Sequence, residues 1–367
     1  MLTTRQLNRA TLARQMLLAR EQISAVDGVG RLGGLQAQEP KPPFIGLWTR
    51  LAGFSADALR EALQDRAVVR ATLMRGTLHL ATAEDYAAFR VPLQPVLTRG
   101  MTGALRERAE GLEPNAVLAV ARELLEERPR TFDELRTLLQ EVFPEVNHRA
   151  LGFAVRMLLP LVMVPTADRW AFPRVADFAL ADTWLQRPLD TGEAPDELVL
   201  RYLAAFGPAN AADVQSWSGL QGIKAVLERL RPRLAVFTDE RGRALFDLPE
   251  APRPDEATPA PARFLPEFDS LLLAHADRTR VISDERRPAV ITKNLRVKAT
   301  VLIDGFVGAT WEIKRSRRAV TLAITPFRAL SKREAAELKA EGASMLSFTD
   351  GDTGELEVTV TAPHDSI

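Results

Sequence analysis

Hydrophobic positions recur with helical spacing over residues 4–19, where Leu7, Ala10, Leu12, Ala13, Met16 and Leu17 gather near one face. Ser24-Ala25-Val26-Asp27 then has the form of a capping box, and Val26, Val29 and Leu32 recur every third residue. This second helix runs into Arg31-Leu32-Gly33-Gly34-Leu35-Gln36-Ala37-Gln38-Glu39-Pro40. Pro40 pushes Glu39 out of the helical region, and Pro42-Pro43 is expected to forbid any restart. Gln36 and Gln38 should therefore lie where helix gives way to extended chain. Residues two apart in extended chain point the same way. The two amides would face one spot, with Ala37 turned away, unless they are solvated surface beside a proline loop.

Beyond Phe44–Trp48, Ser55 caps a helix through Leu63. Residues 67–73 and 77–82 alternate as two strands hinged at Arg75-Gly76. Helices followed by a two-stranded hairpin make the winged-helix plan. The order repeats: helical segments at 115–127, 131–141 and 148–159 precede Leu161–Val164 and Arg169–Phe172. A third pass runs through 194–206, 210–217 and 223–230 to strands at 233–238 and 244–248. These copies share element order, not residues. Pro249 to Pro266 reads as a linker. Strands follow at 300–305, 306–313 and 320–324, then a helix from Ser331 to Leu346 and a strand at 355–360. The fold class expected is α+β: three tandem winged-helix units (1–100, 101–190, 191–250), then the linker and a β-rich C-terminal domain (251–367), either a small α+β unit or barrel-like.

Composition narrows the chemistry. At 46% hydrophobic over 367 residues, the chain can bury sizeable cores. Lys+Arg and Asp+Glu both number 48, so a nucleic-acid surface must be a local basic patch. The absence of cysteine excludes disulfides, thiolate chemistry and zinc fingers. His79, His148, His275 and His364 lack metal-ligand spacing. With no run of about 18 apolar residues and no signal-peptide core, a cytoplasmic protein is expected, without membrane contact and as a monomer. No glycine-rich phosphate loop, nucleophile elbow or zincin motif occurs.

Arg70, Arg75 and His79 fall on the first hairpin, beside the glutamines. The two arginines are candidates for phosphate contact, against the ordinary alternative of exposed charge; His79 reads as structural. Lys314-Arg315-Ser316-Arg317-Arg318 places four cations at a hairpin tip, either a solvated turn or a basic finger on the phosphate backbone. Asp269, His275, Asp277 and Arg278 flank the apolar Leu271-Leu272-Leu273 and read as architecture, with acids paired to nearby arginine. On residues alone, the reading stops at a tandem winged-helix protein that binds nucleic acid.

LTTRQLNRATLARQ, LQAQEPKPPFIGLWTRL, LMRGTLHLAT, PARFLPEFDSLLLAHADR and DGFVGATWEIKRSRR carry a further signal. Across nearly its whole length the chain resembles the bacterial winged-helix DNA glycosylases of the AlkZ/YcaQ type. Their active-site pattern is Gln, a small or aliphatic residue, then Gln or Asp, and Gln36-Ala37-Gln38 matches the Gln-x-Gln branch. The resemblance implies a concave DNA-binding channel and catalysis by Gln36 and Gln38. It implies excision of N7-alkylated purines from double-stranded DNA, bulky adducts or crosslinks included, with neither metal nor cofactor.

The residue chemistry agrees. A glutamine cannot act as a general base, so the site could not expel an ordinary neutral base. An N7-alkylated purine is already cationic and leaves readily. Amide dipoles need only stabilise an oxocarbenium-like sugar and hold a water. The competing reading is a transcription regulator with incidental glutamines. It calls for a recognition helix with base-reading side chains, and residues 24–35 offer only Arg31 and several glycines.

Overall fold

A computed structural model describes residues 1–292, 294, 296–351 and 354–363; His364 lies outside the described residues. Helix α1 (Thr4–Arg14) starts at a capping box formed by Thr3 and Gln6. It stops short of the span its apolar spacing suggests, and the chain turns at Met16, whose φ is 55°. Its polar side is buried as deeply as its apolar side: Asn8, Arg9, Thr11, Arg14 and Gln15 are all inside. Arg14 meets Asp247 at 2.6 Å, and Asn8 Nδ2 donates to the Arg280 and Gly305 carbonyls. The helix is thus a polar rivet between distant parts of the chain.

Ser24 accepts from the Asp27 amide and caps α2 (Ala25–Arg31), as its sequence suggests. The short strand β1 (Leu35–Gln36) follows. The prolines then act against expectation. Pro42 and Pro43 open α3 (Pro42–Trp48), because the first turn of a helix needs no amide hydrogen from them. Ser55 caps α4 (Ala56–Gln64), and β2 (Val68–Thr72) and β3 (Leu78–Thr82) form the hairpin. Two helices not read from the sequence, α5 (Ala83–Arg90) and α6 (Gln94–Leu105), lead out of it.

The next helices are α7 (Pro114–Glu127), α8 (Phe132–Val142, capped by Thr131) and α9 (His148–Leu158). Strand β4 (Leu161–Met163) pairs with β5 (Phe178–Leu180), not with the expected segment 169–172. That segment instead turns back through Ala171 at φ 64° and drops Phe172 into the core. A short helix, α10 (Ala181–Leu185), leads on to α11 (Asp196–Phe206), α12 (Ala211–Ser218) and α13 (Ile223–Leu230). They end in the hairpin of β6 (Ala235–Thr238) and β7 (Ala244–Asp247).

The first two hairpins are fused into one five-stranded sheet of order β1-β3-β2-β4-β5, in which Arg70 pairs with Met163 and Ala71 with Val162. One face of this sheet (Leu35, Ala37, Val68, Leu78, Leu80) packs on α2–α4 and α7–α9. The other (Val69, Ala71, Ala81) packs on α5 and α11–α13.

The proline-rich stretch is not a free tether. Glu256 and Thr258 bond to Thr3 and Arg9 of the first helix region, and Arg263–Leu265 is itself a strand, β8. Helix α14 (Arg287–Val290) precedes β9 (Thr300–Ile303), β10 (Phe306–Arg315) and β11 (Ala319–Pro326). Ser331 and Glu334 box the start of α15 (Lys332–Asp350), and β12 (Glu355–Val360) runs parallel to β11. The second sheet, β12-β11-β10-β9-β8, is open rather than barrel-like. Phe348 near the end of α15 stacks on Trp48 and meets Phe54 and Trp170, docking this domain beside α3.

Candidate active site

The chain reaches the glutamines through Gly33 and Gly34, both at positive φ. A side chain on Gly34 would meet the Leu80 carbonyl at 2.9 Å, so only glycine lets α2 turn this tightly onto the sheet. Extended backbone then alternates as its spacing suggests: Leu35 and Ala37 enter the core, while Gln36 lies across from His79 on the opposite face. Gln36 is 8% exposed and Gln38 is exposed. Gln36 Oε1 accepts from Arg75 Nη2 at 2.8 Å. Gln38 Oε1 receives a long contact from the Leu78 amide, 3.4 Å.

The two hairpin arginines are not free surface charges. Arg70 is buried; its Nε donates to the Ala37 carbonyl at 2.9 Å and its Nη2 to the Gln38 carbonyl at 3.1 Å. Its guanidinium lies 4.8 Å from the Phe172 ring centre. Burial brings its pKa down to about 10, against the attraction of Glu39. With its guanidinium committed to these carbonyls, Arg70 supports the loop and is not the exposed surface charge of the alternative reading. Arg75, half-buried at φ 56°, spans from Gln36 to the Trp217 carbonyl at the end of α12. Burial, then Arg278, lowers it to about 10. It too is committed within the protein.

His79 is buried, with Nδ1 3.0 Å from the Thr77 carbonyl. Burial, then Arg75, pushes its pKa down to about 3, which leaves it neutral and structural. Asp269 pairs with Arg50 at 2.9 Å, both buried, and Asp277 bonds Arg243 and Arg241. The architectural reading of these acids holds, but the arginines come from remote segments rather than from neighbouring Arg278.

At the basic hairpin, Lys314 pairs with Glu312, while Arg317 and Arg318 are exposed at the tip. Arg315 makes a forked contact with Asp350, at 2.8 and 3.1 Å from one nitrogen. The same carboxylate lies 3.7 Å from Lys41 Nζ, so the finger and the glutamine turn meet at Asp350. Lys41 Nζ also sits 5.5 Å from the Trp170 ring centre, which Arg169 approaches at 5.1 Å. Burial lowers Lys41 to about 8; Asp350 opposes this, and Arg315 and Arg169 add to it.

Lys41, Trp170 and Asp350 belong to three separate segments with no shared motif. The only local hint is the lysine ahead of two prolines. Among the described residues, no cluster of three or more His, Cys, Asp or Glu could hold a metal, and no helix is long and apolar enough to cross a membrane.

Paired amides beside a basic finger, carried on helix-and-hairpin units, suit a protein that does chemistry on DNA. A family model described as DNA glycosylase AlkZ-like matches residues 29–348. The chain belongs to that family and is a DNA glycosylase, which sets the regulator reading aside. Among relatives, it is 29% identical over 364 residues to the interstrand DNA cross-link repair glycosylase of Streptomyces sahachiroi, covering 91% of this chain and 95% of that one. Its fold matches the solved structure of Streptomyces sahachiroi DNA glycosylase AlkZ with a TM-score of 0.81. That match has 23% identity and covers 98% of this chain and 100% of the other.

Proposed function

We propose that this glycosylase hydrolyses the N-glycosidic bond of cationic N7-alkylated purines in duplex DNA, bulky adducts and interstrand crosslinks included. A water positioned by Gln36 and Gln38 is the nucleophile. The observation that carries this reading is that the groups bonded to the two amides, the Arg75 guanidinium and the Leu78 main-chain amide, are donors and not bases. Gln36 ends the strand β1 and Gln38 follows two residues on, His79 is held uncharged, and the flanking arginines are committed to carbonyl oxygens. These bonded groups offer the two amides no proton acceptor near neutrality. The site therefore suits a leaving group that already carries positive charge. The relative named for cross-link repair supports lesions of this class.

Single-turnover release of base from duplex bearing N7-methylguanine tests it. Gln36→Ala and Gln38→Ala are each expected to slow release, by an amount on the order of 1–3 kcal/mol, with DNA affinity and Tm near wild type. Gln38→Asp keeps an acceptor oxygen and should retain substantial activity, whereas Gln38→Leu should behave as alanine does. Wild-type rates from the alanine and leucine variants would end the assignment.

A further inference from the structure

We propose that the two glutamines have opposite polarity: Gln36 is the hydrogen-bond donor of the pair, Gln38 the acceptor, and Arg75 is the positioning residue that sets this division. The inference rests on the reading that these glutamines carry catalysis.

The direction of the Gln36 amide follows from its partner. A guanidinium has five N–H donors and no acceptor, so the atom 2.8 Å from Arg75 Nη2 must be the carbonyl oxygen. The amide nitrogen is then the polar atom left to meet a ligand. Arg75 cannot easily swing away from this contact. Its other terminal nitrogen donates to the Trp217 carbonyl, one of the unsatisfied carbonyls at the negative end of α12, where a cation is favoured. Its backbone sits in the left-handed region, φ 56° and ψ 12°, a conformation that costs a non-glycine residue energy and persists where surroundings fix it. Although lowered to about 10, it stays protonated at neutral pH and polarises the amide, making the N–H a stronger donor. His79, across the sheet from Gln36, is neutral and adds no second cation.

Gln38 differs on each point. It is exposed, and its side-chain oxygen holds only the long contact to the Leu78 amide, which leaves a lone pair for a further donor. A water between the two amides would donate one hydrogen to Gln38 Oε1 and accept one from Gln36 Nε2. Its second lone pair is free for the anomeric carbon. As the C1′–N9 bond breaks, its electron pair passes to the purine and cancels the N7 cation. The water oxygen bonds to C1′, and its proton is released to solvent.

Four single variants and one double variant test this by single-turnover excision of N7-methylguanine, with DNA affinity and Tm measured alongside. Gln36→Glu keeps the Arg75 contact but puts an acceptor where the donor stood; Gln36→Met removes both. Each is expected to slow excision about ten- to a hundredfold at unchanged affinity. Arg75→Met should slow it by a similar factor and add little in a Gln36→Met background, while Arg75→Lys should restore part of the rate. Should Arg75→Met fail to fold, Gln36→Glu and Arg75→Lys still decide. If Gln36→Glu matches or exceeds wild type while Gln36→Met is slow, the donor assignment is wrong and the catalytic glutamines stand. Full activity in Gln36→Met would instead remove Gln36 from catalysis altogether.

Discussion

Arg70 holds Gln38 by its main chain, from the buried side of the turn, with Nη2 3.1 Å from the Gln38 carbonyl and Nε 2.9 Å from that of Ala37. A buried guanidinium in this position acts on the fold first. Removing it strands two carbonyls, each deprived of a charge-assisted bond of roughly 1.5–3 kcal/mol. Arg70→Met is therefore expected to lower Tm and excision together, while the slope of log affinity against log salt stays that of wild type. A reduced slope at unchanged Tm would show that Arg70 meets phosphate after all.

The exposed cations of the hairpin tip should behave in the opposite way. Replacing Lys314, Arg317 and Arg318 by alanine is expected to weaken duplex binding and to flatten the salt slope by roughly 0.9 for each phosphate no longer neutralised. Thermal stability should not move, since surface charges contribute little. Arg315→Ala belongs in a separate experiment, because it also opens the forked contact to Asp350. Unaltered binding in the triple variant would identify the tip as a solvated turn.

Lys41, lowered by burial beside Asp350, is expected to make duplex binding depend on pH. Burial, chiefly, lowers its ammonium to about 8 from an ordinary 10.5. Between those values the unfolded chain binds more protons than the folded one, so this group's contribution to stability rises with pH across that window. Its charge is lost over the same range. If the ammonium faces phosphate, duplex affinity at constant ionic strength should fall from pH 7 to 9. Lys41→Arg, cationic throughout, should show a flatter profile. Superimposable titrations by fluorescence anisotropy would exclude Lys41 from the interface.

The pair Arg50–Asp269 fastens the turn after α3 to the segment after β8, with both side chains 1% exposed or less. Asp269→Ala leaves a buried guanidinium unpaired and should cost about 3–5 kcal/mol. Replacing both partners with apolar residues (Arg50→Met with Asp269→Leu) should recover much of that. Denaturant unfolding of wild type and the two variants checks the order; an Asp269→Ala variant as stable as wild type would mean that the pair is well solvated.

How much of this is legible in the sequence depends on the range of each signal. Caps act over three residues, so Ser24, Ser55 and Ser331 can be read directly. Strand alternation acts over two, which is why Ala37 reads correctly as turned into the core, away from Gln36 and Gln38. The prolines mislead because Pro42 blocks continuation of a helix yet suits its first turn, and only the backbone before it decides which applies. The polar side of α1 looks like a solvent face because nothing local announces Asp247 or Asp304, more than two hundred residues away. For the same reason Arg70 and Arg75 read as surface charge: Arg70 bonds main-chain carbonyls and Arg75 is anchored on that of Trp217, and such partners leave no mark in a sequence.

The sheet shared by the first two hairpins has a consequence for synthesis of the chain. A ribosome that has made residues 1–100 has already produced both glutamines, Arg70 and Arg75, yet β2 then lacks its neighbour β4 and Arg75 lacks the Trp217 carbonyl. The edge stays open until residue 163 has emerged, and the Arg75 anchor is absent until residue 217. Vectorial folding thus delivers the two glutamines early and the Arg75 anchor late. A truncated nascent product would carry the complete glutamine motif on β1 while leaving β2 as an unpaired, aggregation-prone strand edge.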